Sequence, residues 1–173
     1  MLHWLLLLVC AHASSVFGAA EFSVGQKWQI TLVNPPIVTN TSKVIPLDAP
    51  VWDIDAFDAD PELVGALHAQ GKIVICYFSA GTYEPWRPDA NEFKPADKGQ
   101  SLAPQWPDEN WLNLRSANVR QIMTTRIKMA ASRGCDAVDP DNVGTHIHSS
   151  PLKNPQKKNI SRLPLLLVTH GSS

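Results

Sequence analysis

"DPELVGALHAQGKIVICYFSAG" (Asp60–Gly81) decides the fold. Asp60 is placed to cap a helix that opens on Pro61, and Leu63, Val64 and Leu67 share one face before Gly71 stops it. The run from Ile73 to Phe78 is then continuously apolar, as a strand buried on both faces requires. Upstream, "VWDIDAF" (Val51–Phe57) reads as a strand, so the three segments make a βαβ unit with parallel strands. "WQITLV" (Trp28–Val33) adds an earlier strand by its alternation and β-branching. Downstream, "SANVRQIMTTRIKMAASRG" (Ser116–Gly134) spaces Val119, Ile122, Met123, Ile127 and Ala130 along one helical face, with Gly134 as the stop. "CDAVD" (Cys135–Asp139) is the next strand. This order predicts a parallel α/β sheet covered by helices, with functional residues at the carboxyl ends of its strands. Residues 82–110, rich in Pro, Trp and Asp, are expected to form a large loop over that end.

The whole chain of 173 residues, 44% of them hydrophobic, suffices for the core of one domain. Sixteen acidic against fifteen basic residues leave no basic field for nucleic acid or an anionic membrane. Residues 1–20 carry an apolar run from Trp4 to Cys10 and end in Gly18, Ala19 and Ala20, the layout of a signal peptide and too short for a membrane span. Secretion is therefore expected, and the sequons at Asn40 and Asn159 fit it. Of the cysteines left after cleavage, Cys76 and Cys135 read better as buried, unpaired hydrophobes than as a disulfide. His68, His146, His148 and His170 form no ligand-spaced pair, so neither a metal nor a cofactor is expected. From Gly144 to Ser173 the composition changes: four basic residues, no acid and three prolines give an irregular tail in which only "LPLLLV" (Leu163–Val168) reads as an ordered apolar segment.

"GCDAVDPDN" (Gly134–Asn142) places three carboxylates in six residues. Strand alternation points Asp139 and Asp141 one way and Asp136 the other, and it puts Asp53 and Asp55 on one face. If these strands are neighbours, four acids converge on one mouth, where mutual repulsion raises some pKa values as carboxylate chemistry needs. The simpler reading of Asp139-Pro140-Asp141-Asn142 is a polar turn, as Asp58 and Asp60 suit helix capping. Trp86, Trp106 and Trp111 suit either a packing cluster or stacking on sugar rings.

"WDIDAFD", "LHAQGKIVICYFSAGTYEPWRPD", "WLNLRSANVRQIM" and "GCDAVDPDNV", in this order, resemble glycoside hydrolase family 114 over about Trp28 to Val143. The resemblance implies roughly the first half of a (β/α)8 TIM barrel spanning residues 21–143, secretion, and hydrolysis of polysaccharides or oligosaccharides with α-linked galactosamine or galactose. It implies Asp141 or Asp139 as a catalytic carboxylate, with Asp53, Asp55, Tyr77, Trp86 and Asn142 lining the sugar site. A second catalytic carboxylate is expected on a later strand. Residues 144–173 depart from the family pattern, so the chain is expected to be truncated and inactive alone. The alternative is a non-catalytic secreted carbohydrate-binding protein or a non-functional fragment.

Overall fold

The computed structural model of the chain describes residues 21–39, 44–45, 49–143 and 166–167. The expected signal peptide, both sequons and nearly all of the tail lie outside them. The described chain runs β1 (Trp28–Thr31), β2 (Ile37–Val38), β3 (Val44–Ile45), β4 (Val51–Asp55), α1 (Pro61–His68) and β5 (Ile73–Ser79), followed by β6 (Thr82–Tyr83), β7 (Lys98–Leu102) and β8 (Trp106–Leu112). It ends with α2 (Ala117–Arg133), β9 (Ala137–Asp141) and β10 (Leu166–Leu167).

Strands β1, β4, β5 and β9 lie side by side and parallel, as predicted, and β10 pairs antiparallel with β9. With α1 and α2 against one face, this is the architecture of part of a (β/α)8 barrel. β2 and β3 pair as a small separate ribbon in the first connection. The Asp60 carboxylate accepts the Leu63 N–H at 2.8 Å to open α1, and Ser116 caps α2. Gly134 closes α2 at φ +92°, a left-handed position that a side chain would strain.

The outward strand residues Trp52, Ile54, Val74, Cys76, Phe78 and Val138 pack with Val64, Leu67 and Ala130 into the main core. The inward positions alternate with them, and Val51, Ile75 and Ala137 form a smaller cluster with Phe22 and Ile73. Asp136 points outward, as parity requires, accepting the Val74 N–H and facing His68 Nε2, both at 2.8 Å.

Two expectations are corrected. Residues 82–110 are not simply a loop: β6, β8 and β7 form an antiparallel sheet in that order, with short 3-10 turns at Ala90–Glu92 and Pro95–Asp97. Its strands are mostly exposed, so they lack the apolar alternation that marks a strand in sequence. Cys76 and Cys135 are not separate either, since they form a disulfide with Cα atoms 6.0 Å apart. The Gly134 turn delivers Cys135 onto the outer sheet face, where Cys76 also points. The bond links positions 59 residues apart, a loop whose closure is worth about 4 kcal/mol on the chain-entropy account. Replacing both cysteines by alanine should lower the thermal midpoint by many degrees, and peptide mapping without reductant should recover the two cysteines in one cross-linked species.

Candidate active site

The register of the parallel strands assembles the site. Asp55 lies opposite Tyr77, and Tyr77 opposite Asp139, while Ser79 lies opposite Asp141. Asp53, Asp55, Tyr77, Asp139 and Asp141 thus share the inner face, the last of them at the carboxyl end. Above that end, the β6–β8 sheet forms a strap. Strand ends and strap enclose a cleft of about 770 Å³ whose walls include Asp55, Tyr77, Glu84, Trp86, Trp106, Glu109, Asp141 and Asn142.

At the centre, the Tyr77 hydroxyl donates to Asp141 Oδ2 at 3.0 Å, and the Asn142 N–H donates to Asp141 Oδ1 at 2.7 Å. Asn142 adopts φ +63°, which asparagine tolerates better than most residues. The Asp141 carbonyl accepts the N–H groups of Ala80 and Gly81 at 2.9 and 3.1 Å, which ties β9 to the end of β5. Gly81 is required here, since a Cβ would overlap the Asn142 carbonyl. Burial, followed by the charge of Asp141, raises the Tyr77 pKa, so the phenol keeps its proton.

Asp55 reaches the cleft but is held by Arg87, whose Nη1 and Nη2 lie 2.9 and 2.7 Å from its two oxygens. The same guanidinium binds Glu84 at 2.8 and 3.1 Å and stacks on Phe57 at 4.8 Å. A second arginine fastens the strap from below. Buried Arg126 of α2 grips Asp89 twice at 2.8 Å and donates to the Ser79 carbonyl at 2.7 Å. Asp97 adds a third tie by accepting from Ser116 and Asn118 at the start of α2, at 2.6 and 2.8 Å.

Of the residues singled out in sequence, Asp55, Tyr77, Trp86, Asp141 and Asn142 come together around the cleft. Asp139 is half-buried one step deeper, and Asp53 is wholly buried beneath the cleft rather than lining it. Neither Asp53 oxygen meets an N–H or O–H donor among the described residues. Burial first, then the Asp139 charge, pushes its pKa up to about 8, and the neutral acid can donate its proton to Asp139. Sequence reasoning missed Glu84, Arg87, Arg126 and Glu109. Glu84, Arg87 and Glu109 sit in a stretch without periodicity, and Arg126 looks like one more solvated helix residue.

The buried pair yields a pH signature. A carboxyl with a raised folded-state pKa binds more protons folded than unfolded, so its stabilising contribution is full below about pH 4 and is lost as pH rises towards 8. In that window it should remove about 1.4 kcal/mol per pH unit. Asp53→Asn should therefore flatten the decline in unfolding free energy between pH 4 and 8, measured by urea titration at several pH values. Equal slopes for both proteins would mean that Asp53 is ionised when folded.

Glycoside hydrolase family GH114 has a family model that matches residues 11–167 of the chain. Among solved structures, Ega3 from Aspergillus fumigatus, in complex with galactosamine, is similar at 50% identity and a TM-score of 0.61, with 69% of this chain and 45% of that chain covered. The glycoside hydrolase domain of PelA from Pseudomonas aeruginosa shares the fold at 17% identity and a TM-score of 0.54, with 66% and 44% covered. No curated protein matches the chain. The chain thus spans less than half the length of these two structures. Motifs, part-barrel and family match agree: the chain belongs to glycoside hydrolase family GH114.

Proposed function

We propose that the chain acts as a secreted glycoside hydrolase on polymers of α-linked galactosamine, with Asp141 as the carboxylate that works on the glycosidic bond. The observation that carries this reading is the setting of Asp141, an exposed carboxylate aimed by Tyr77 into a cleft with Trp86 and Trp106 on its walls. The two indoles are 57% and 60% exposed, so they are available to stack on the apolar C–H faces of sugar rings. Charge favours an amino sugar. Among the described residues, Asp55, Asp58, Glu84, Glu109 and Asp141 line the cleft against one cation, Arg87, and a galactosaminyl ammonium would offset that excess. The galactosamine bound in the Ega3 structure supports the same substrate class. A disulfide between Cys76 and Cys135 suits an oxidising, extracellular setting.

Hydrolysis of a glycosidic bond needs two carboxyl groups flanking it. Asp141 accepts two hydrogen bonds and suits the nucleophile or base, which must be ionised at the moment of attack. Tyr77 holds that oxygen in line and stays protonated. The charge of Asp139, beneath, helps burial keep Asp53 protonated, and the same charge would favour the cationic sugar ring of the transition state. The acid that protonates the leaving oxygen is expected, by family resemblance, on a later barrel strand, and residues 144–173, which hold no Asp or Glu, do not supply it.

The test is reducing-sugar release and calorimetric binding with α-1,4-linked galactosamine oligosaccharides. In a version extended by a family-like continuation after Val143, release should fall about 10²–10⁴-fold in Asp141→Asn, with folding retained. Tyr77→Phe should cost roughly tenfold, the worth of one hydrogen bond to a charged group. Asp60→Asn, which alters a helix cap, should leave release nearly unchanged. Binding without release would identify a non-catalytic carbohydrate-binding protein, and absence of both would refute the reading of the cleft.

A further inference from the structure

We infer that Glu109 of the strap is the residue that recognises the sugar's ammonium group, so that the strap, rather than the barrel strands, sets a preference for galactosamine over its N-acetylated form. The inference rests on the reading of the cleft as a galactosamine site and assigns one of its walls.

Most carboxylates of the cleft are already engaged. Asp55 and Glu84 share Arg87, which spends four N–H···O contacts on them. Asp141 is occupied by Tyr77 and by the Asn142 N–H. Asp58 stands exposed at the rim, where an ion pair is worth little. Glu109 is half-buried in the wall, and among the described residues no Lys, Arg or His forms an ion pair with it.

The strand register places Glu109 beside Glu84 and Thr82. Continuing the β6–β8 register from Thr82↔Trp111 and Tyr83↔Asn110 sets Glu84 opposite Glu109 and Thr82 diagonal to it on the same face. Ser79 Oγ accepts from the Thr82 N–H at 3.2 Å and from Asn142 Nδ2 at 3.1 Å, so its own proton goes to Thr82 Oγ1, 2.5 Å away. That leaves the Thr82 proton directed to the side of the β6–β8 sheet that Glu109 shares. The chain of hydroxyls begins at Asn142, next to Asp141, and ends at Thr82, diagonal to Glu109.

Burial first, and then the charges of Glu84 and Asp141, raise the Glu109 pKa, while the Thr82 hydroxyl and Arg87 oppose the rise. A –NH3+ group on a sugar lying over Asp141 would supply three donors and the missing positive charge. An N-acetyl group would supply neither the charge nor more than one donor, and it would press a carbonyl oxygen towards two acids.

Calorimetry with galactosamine and N-acetylgalactosamine oligosaccharides of equal length tests the assignment on the full chain. The wild type should prefer galactosamine. Glu109→Gln, whose amide oxygen can still accept a hydrogen bond, should weaken galactosamine binding roughly 10- to 100-fold, leave N-acetylgalactosamine binding within about twofold, and melt like the wild type. Glu109→Asp should keep part of the preference. Asp108→Asn removes a neighbouring charge that does not line the cleft and should change neither affinity. A preference that survives Glu109→Gln, or an equal loss in Asp108→Asn, would overturn the role of Glu109 while leaving the sugar site standing. Failure of the wild type to bind either oligosaccharide would overturn the site itself and this role with it.

Discussion

Everything at the candidate site depends on the in-line register of β4, β5 and β9. Because Asp55, Tyr77 and Asp139 are partners across three parallel strands, the inner face carries a row of polar groups at one level and Asp141 one step above it. A slip of one residue would turn these groups outward into the helix-facing core and bring Trp52, Ile54, Val74 and Cys76 inward. The large apolar side chains on the outer face hold the register against that slip, and the disulfide fastens the same face to the end of α2. The packing that stabilises the sheet therefore also aims the carboxylates.

Two arginines extend this order to the strap. Arg126 comes from the buried face of α2, an expensive place for a cation, and is made tolerable by two bonds to Asp89, one to the Ser79 carbonyl and the rings of Phe57 and Phe93. Removing Asp89 alone would leave that charge buried without its ionic partner, so the pair commits the strap to one position. Arg87 does the equivalent inside the cleft by joining Glu84 of the strap to Asp55 of β4. Position and charge are settled together: Arg87 neutralises the acids it binds and leaves Asp141 and Glu109 to face a ligand.

The parts legible in the sequence were those carried by local chemistry. The Asp60–Pro61 helix start, the Gly134 helix stop and the apolar run from Ile73 each announce themselves within a few residues. Alternation alone correctly put Asp53 and Asp55 on one face, Asp139 and Asp141 on one face, and Asp136 on the other. What stayed hidden depends on contacts between distant positions. Arg126 and Asp89 meet across 37 residues, Cys76 and Cys135 across 59, and β7 pairs with β8 through exposed polar residues that carry no burial pattern. The depth of Asp53 could not be read from alternation either, because parity gives a side chain its face but not its distance from the mouth.

The central claim is that sugar occupies the cleft between the strand ends and the strap. The most direct measurement is a titration of 15N-labelled chain with a galactosamine oligosaccharide, followed through the indole N–H signals of its tryptophans. The account predicts progressive shifts at Trp86 and Trp106, which line the cleft, and none at Trp52, which is buried in the outer core with its indole N–H bonded to the Ala49 carbonyl. Shifts confined to Trp28, on the exposed edge strand β1, would place the sugar elsewhere and contradict the account.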